Sequence, residues 1–373
     1  MFPAEIYNDI YIYAMLALTL LTALLFARGS SGKLQSEYFS AAMTPTLCVV
    51  MAIFLGTRPV SGVFVDMTTY DTAYRICSVT GESTFPDWAF ANLMVLFSKY
   101  FGSSVFFFAC SLIYLLPLLS IKKIHGNWAF AIILCTAGSL SFFSYGVNAI
   151  RHGMAASLLI AAICNRDRKW LMVLFIFLSL GMHQSMAIPI TALLAALFLN
   201  SPLAMWSCWF CWLSALVVSR ATGGAISEKL MSIAFLGNDE RFTKYVTGIG
   251  NDKGGFRWDF IIYSITPVLI TFAIAGREVR RDRIYRTLIM AFLLTNSFWL
   301  LVIYAAYSDR FAYLSWFLLP WLIVYPFTPR KTLNNSGGMS PARELRLGLL
   351  GCALLAHFAF TFFMSQIYYK GGL

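Results

Sequence analysis

Four stretches of this sequence put ionisable side chains at the ends of apolar runs, where charge is costly unless it meets a partner or a ligand. The first, GTRPVSGVFVDMTTYDTAYR (56–75), sets Arg58 eight residues before Asp66, with Tyr70 and Asp71 about one helical turn further on. A short helix there would gather Asp66, Tyr70 and, less closely, Thr69 on one face. The second, YGVNAIRHGMAA (145–156), holds Asn148, Arg151 and His152 within about one turn in the middle of an apolar tract. The third is His183 with Gln184 in GMHQSM, and the fourth is Asp309 with Arg310 in YSDRFAY (307–313).

The chemistry these residue types suit is the handling of an anionic group. Arginine presents a planar fork of donors, stays charged, and pairs with phosphate through charge-assisted bonds. Arg58, Arg151 and Arg310 stand at the ends of different apolar runs on one predicted membrane boundary, which is how a bundle builds an anion pocket. Arg241 and Arg257, in a long loop, are further candidates, with a solvated loop face as the ordinary role of each. Asp66 and His183 are the candidate proton acceptors, the imidazole because it titrates near neutrality. Each group also has a plain structural role: an Arg58–Asp66 ion pair with an interfacial Tyr70, an Arg151 snorkelling to headgroups, a satisfied interfacial His183, and a turn capped by Asp309 and Arg310. His152 and His183 together lack a convergent carboxylate at metal-ligand spacing, so no metal or other cofactor is expected. Cys208 and Cys211 form a C-x-x-C inside an apolar run with no polar ligand nearby, and read as small hydrophobes.

The elements that carry these residues follow from composition. Of 373 residues 59% are apolar and 12% charged, with a mean hydropathy of +0.71, so a soluble fold would lack the polar surface to cover itself. The first nine residues contain Glu5 and Asp9 but no Lys or Arg, so the first apolar run reads as a retained span. Helical spans of about 20 residues fit twelve runs, near 10–27, 40–57, 103–121, 128–147, 148–164, 170–183, 186–200, 201–219, 258–276, 287–307, 311–327 and 347–367. The expected class is therefore an all-α, polytopic transmembrane helical bundle, one integral membrane domain over 1–373.

Cation placement orients it. With both termini outside, 16 of the 28 Lys and Arg and five of the 17 Asp and Glu fall in inner loops, leaving 12 of each on the outer side. The entire charge excess of +11 then lies inside, and a nucleic-acid partner is not needed to explain it. Two outer segments exceed what a connector requires, 58–102 and 220–257. In the first, PDWAFANLMVLFSKY (86–100) has apolar residues at helical spacing and predicts an interfacial helix. The second, glycine-rich and charged, reads as a loop that covers a site.

Taken in order, GTRPVSGVFVDMTTY, NAIRHGMAASLLIAA, GMHQSMAIP and SDRFAYL resemble the EpsG-like family of bacterial exopolysaccharide polymerases, akin in role to Wzy-type O-antigen and capsule polymerases, over roughly residues 50 to 325. The resemblance maps Arg58, Asp66 and Tyr70 onto the family's first motif, Asn148 and Arg151 onto the second, His183 onto the third and Arg310 onto the fourth. Where a Gln or similar group is expected after Arg151, this chain has His152. The resemblance implies joining of oligosaccharide repeat units borne on undecaprenyl pyrophosphate at the outer face of the bacterial inner membrane, with membrane lipid and a chain-length regulator as partners. On that reading Arg58, Arg151 and Arg310 bind the pyrophosphate, and Asp66 or His183 takes the acceptor's proton. Three rivals share the sequence. A ligase or lipid-linked glycosyltransferase of GT-C-like architecture would favour a tighter acidic pair than Asp66 and Asp71, a transporter would centre on Asn296 and His357, and an acyltransferase would need a catalytic His within the bundle.

Overall fold

The computed structural model describes residues 2–27, 33–234, 255–328 and 341–368, which are helices and turns with no strand among them. Among the described residues, five helical segments are long and apolar enough to cross a bilayer: Ala4–Ala27, Ser103–Ala137, Pro202–Thr222, Arg283–Leu301 and Leu345–Ile367. A sixth is counted if the bent pair Leu140–Val147 and Ile150–Cys164 is one span, and four shorter apolar helices accompany them. This is a multi-pass membrane protein. Its chain divides into two compact units, Met1–Met186 with Phe327–Leu373, and Ala187–Pro326.

In the first unit, α1 (Tyr7–Ala27) lies against α19 (Pro341–Phe362), and α5 (Ser103–Leu115) packs on α2 (Lys33–Gly56) and α9 (Ile150–Cys164). Close approach of α2 to α5 depends on Gly56, where a Cβ would come within 2.5 Å of Ser111 Oγ. The expected run 128–147 is not one helix. After α6 (Lys122–His125), it breaks at Gly138 and Ser139 into α7 (Ala129–Ala137) and α8 (Leu140–Val147), and the chain then bends by 118° into α9. All of α9 except Arg151 is buried, as befits a helix that is apolar all round. Its neighbour α10 (Lys169–Met182) instead leaves Trp170, Val173 and Phe177 exposed, the pattern of a lipid-facing surface. The outer segment 58–102 carries two helices, α3 (Met67–Thr80) and the expected α4 (Trp88–Tyr100).

In the second unit, α16 (Arg283–Leu301) is the hub, contacting α11 (Ala187–Phe198), α12 (Pro202–Thr222), α13 (Ala225–Ala234) and α17 (Ser308–Trp316). The expected helix 287–307 stops at Leu301, and turns lead to Tyr307, whose φ of 55° is left-handed. Further elements are α14 (Trp258–Leu269), α15 (Arg277–Arg281) and α18 (Leu319–Val324). Much of the expected covering loop, 235–254, lies outside the described residues, and Arg241 with it.

One buried amide ties this unit together. Asn296 Oδ1 accepts from Trp212 Nε1 at 2.7 Å, and its Nδ2 donates to Ser315 Oγ at 2.9 Å and Ser264 Oγ at 3.3 Å. Trp316 Nε1 donates to the same Ser264 Oγ at 2.8 Å, so four helices share one network. The Asn296 amide is committed to packing, which removes the sequence's best argument that it lines a transport path. His357 on α19 is likewise buried and bonded to the Cys135 main chain.

Replacing Asn296 by Leu keeps the volume but leaves the Trp212 indole N–H buried and unpaired, a cost of about 1 to 3 kcal/mol. A lowered apparent Tm of purified N296L in detergent is the expected outcome; an unchanged Tm refutes the network's role.

Candidate functional site

The break between α8 and α9 creates the problem the site solves. A helix end buried in a hydrophobic bundle bares carbonyls at one side and N–H groups at the other, and apolar neighbours satisfy neither. Arg58, just beyond the end of α2, supplies the carbonyl side: its Nη2 donates to Val147 O, the last residue of α8, at 3.5 Å, and its Nη1 donates to Leu55 O. The guanidinium is 4% exposed and stacks over Phe107, 5.4 Å from the ring centre. Burial pulls its pKa down to about 10, while Cys110, Tyr7 and Tyr70 favour the charged form, so it remains a cation at neutral pH. Its Nε is buried with no hydrogen-bond partner among the described residues.

The opposite side of the break is the N-terminus of α9, which receives no side-chain cap from Ala149. Arg151 and His152 stand in its first turn, where a helix also presents partial positive charge. Arg151 donates through Nε to Tyr70 Oη at 3.4 Å and through Nη1 to Asp87, and its guanidinium lies 4.6 Å from the centre of the Phe85 ring. Tyr70 thus accepts from Arg151, and it also favours the charge of Arg58. It is 5% exposed and wedged against Phe85 and Phe90.

His152 stacks on Tyr145, with ring centres 5.1 Å apart and 26° between planes, and meets His183 edge to face at 5.1 Å and 78°. Its Nε2 is buried without a partner among the described residues, as is Asn148 Oδ1. This ring packing is possible because residue 153 is glycine: a Cβ there would lie 2.7 Å from Tyr145 O and 2.8 Å from Tyr145 Cβ. His183 ends α10, and its Nδ1 accepts from the Ser185 N–H at 3.4 Å, with Ser185 Oγ at 3.2 Å. An imidazole whose Nδ1 accepts carries its proton on Nε2 when neutral. His183 is thereby held as a donor. Around these two imidazoles no third metal-type ligand gathers among the described residues.

The residue the sequence reading missed is Asp87. It was legible only as the polar start of an interfacial helix, and it does occupy the N-cap of α4, yet it makes no cap bond there. Such a bond is ordinarily worth about 1 kcal/mol. Its 2%-exposed carboxylate instead pairs with Arg151 and accepts the Gln184 N–H at 2.9 Å.

Asp66 stands one helical turn before Tyr70: its backbone is helical and its carbonyl accepts the Tyr70 N–H at 3.1 Å. It is the half-buried N-cap residue of α3, whereas Asp71 is buried and bonded to Arg75 at 2.8 Å. In the second unit, Arg310 is exposed and stacks 5.2 Å from the Tyr307 ring, with Asp309 beside it in the first turn of α17. Arg257 forms a two-point pair with Asp259, at 3.0 and 2.7 Å, and lies 3.7 Å from the Phe260 ring centre, so it is built into the start of α14 and is not a solvated loop side chain. The first unit therefore brings together Arg58, Tyr70, Asn148, Arg151, His152 and His183, while Asp309, Arg310 and Arg257 belong to the second.

The family model for the EpsG family matches residues 42–336, and the chain belongs to that family. No curated protein and no solved structure matches it.

A Gly153→Ala change forces α8 away from α9 and unstacks His152 from Tyr145. The expected result is a protein that still inserts but has a lower Tm and at least about tenfold less activity, as sub-ångström to 1 Å displacements of reacting groups produce. Wild-type values of both in G153A would show that the close approach is unimportant.

Proposed function

We propose that this EpsG family member is a membrane polysaccharide polymerase that joins oligosaccharide repeat units carried on a lipid pyrophosphate, undecaprenyl pyrophosphate, at the outer face of the bacterial inner membrane. The observation that carries the reading is a buried and a half-buried arginine at the two sides of one helix break, Arg58 on the last carbonyl of α8 and Arg151 in the first turn of the uncapped α9. Fixed cations and a helix N-terminus form an electrostatic frame for an anion whose charge grows as it leaves. Family membership supplies the polysaccharide.

In the reaction, the bond between the anomeric carbon and the pyrophosphate oxygen breaks as a bond to the acceptor hydroxyl oxygen forms. The bonding electrons leave on pyrophosphate, and the hydroxyl proton passes to a base. Arg151 and Arg58 stabilise the departing charge. His183, held as an Nε2–H donor by Ser185, suits the same anion better than it suits the proton. That leaves Asp66 as the base in the present assignment, with Tyr70, Asn148 and His152 binding substrate. Arg310 and Asp309 of the second unit are assigned to substrate as well, as is Arg257, which its pairing with Asp259 makes the weaker candidate. Both termini are assigned to the outer side by the cation distribution.

The test is to change Arg58, Arg151 and Arg310 singly to Ala in cells lacking the native enzyme and to read polymer length. Loss of long chains is expected from R151A, and long chains from all three variants would overturn the assignment. With purified protein and lipid-linked repeat units, a ladder of products is expected. Transfer of one finished chain to a different lipid acceptor would indicate a ligase, and substrate uptake by proteoliposomes without sugar transfer would indicate a transporter.

A further inference from the structure

We infer that Asp87 is a positioning residue, which sets the Arg151 guanidinium and the His183 turn in one geometry by spending each oxygen of a single carboxylate on one of them. The inference rests on the polymerase reading for its consequence, and on the structure alone for its geometry.

Three features separate this from an ordinary buried ion pair. Asp87 stands where an aspartate normally caps its own helix, yet it is turned away from α4 toward two segments 64 and 97 residues distant. The contact to the second segment is to main chain: the Gln184 N–H, at 2.9 Å, immediately follows His183. The neighbouring groups reinforce the same join, since Gln184 Nε2 donates to Pro86 O at 3.3 Å and Trp88 packs on Gly181, where a Cβ would lie 2.4 Å from the indole. The start of α4 is thus keyed to the end of α10, and through Asp87 to the first turn of α9.

The geometry has a chemical effect. Nη1 of Arg151 is held by Asp87 and Nε by Tyr70, so the guanidinium is fixed in plane and direction, and the remaining Nη2 carries no hydrogen bond among the described residues. A carboxylate oriented by the main chain of the His183 turn keeps Arg151 and His183 in register. Two donors that converge on one leaving anion need that register more than either needs its own strength.

The experiment compares wild type, Asp87→Asn, Asp87→Glu, Asp87→Arg and Arg151→Asp singly, and the exchanged pair that combines the last two, all as full chains in nanodiscs. The readouts are turnover of lipid-linked repeat units against concentration, Tm, and hydrogen exchange of the 183–186 segment. For D87N the expectation is a roughly 10- to 100-fold fall in kcat with little change in KM, and faster exchange at Gln184. D87E recovers part of kcat. The exchanged pair recovers Tm relative to either single change but not turnover, since an ion pair alone is restored while the cation is on the wrong element. Turnover of D87N within twofold of wild type, or recovered turnover in the exchanged pair, overturns the inference; so does unchanged exchange at Gln184 in D87N. If wild type gives no ladder, the polymerase reading fails, and the exchange measurement still decides whether Asp87 holds the turn.

Discussion

The structure depends on how a broken helix is tolerated inside a hydrophobic bundle. Where α8 stops and α9 begins, main-chain donors and acceptors lose their helical partners in surroundings that offer none. One half of the demand is met by Arg58, which reaches from the end of α2 to the Val147 carbonyl. The other half is left to the N-terminus of α9, which carries Arg151 and His152 and no capping side chain. The break itself sets Arg151 and His152 in the first turn of α9, Arg58 reaches it from the end of α2, and Tyr70 meets Arg151 from α3.

The same economy separates structural from functional polar groups. Asn296 in the second unit has both ends of its amide matched to Trp212, Ser264 and Ser315, and a fully satisfied network in a low-dielectric interior is a rigid strut. In the first unit, Arg58 Nε, Asn148 Oδ1 and His152 Nε2 are buried without partners among the described residues. Burying such groups is costly, and a ligand that completes them repays the cost on binding. Buried atoms without partners among the described residues occur in the second unit as well, Ser219 Oγ, Thr295 Oγ1 and Trp299 Nε1 among them, so what distinguishes the three of the first unit is that they gather at one break.

Much of this was legible in the sequence. Apolar runs of helical length identify an all-helical membrane protein, and the spacing of Arg58, Tyr70, Arg151 and His183 marks the residues that the first unit gathers. The runs did not give element boundaries: 128–147 reads as one span because Gly138 and Ser139 are compatible with an apolar helix, and only packing, with Phe358 3.0 Å from a Cβ at Gly138, shows the chain turning there. Helical periodicity groups Asp66 with Tyr70, and α3 opens with the Asp66 carbonyl accepting the Tyr70 N–H. Asp87 was hidden for a different reason. Its partners lie 64 and 97 residues away, and no local pattern encodes a contact of that range.

The two arginines of the first unit are unequal, and the inequality follows from where their donors are spent. A guanidinium has five N–H groups in a fixed fork. Arg58 turns both terminal nitrogens to main-chain carbonyls, and its Nε is sealed from solvent. Its contribution to an anion is therefore mainly through charge, transmitted over a short distance in a medium that screens it little. Arg151 is less buried, with its side chain 19% exposed, and keeps one terminal nitrogen unspent while Asp87 and Tyr70 fix the other two. It is the one built to touch. An arginine that caps a helix and sets the field beside an arginine that makes the contact is a division of labour that needs both side chains at one break, which is why the break, the outer helix and the end of α10 are locked to one another.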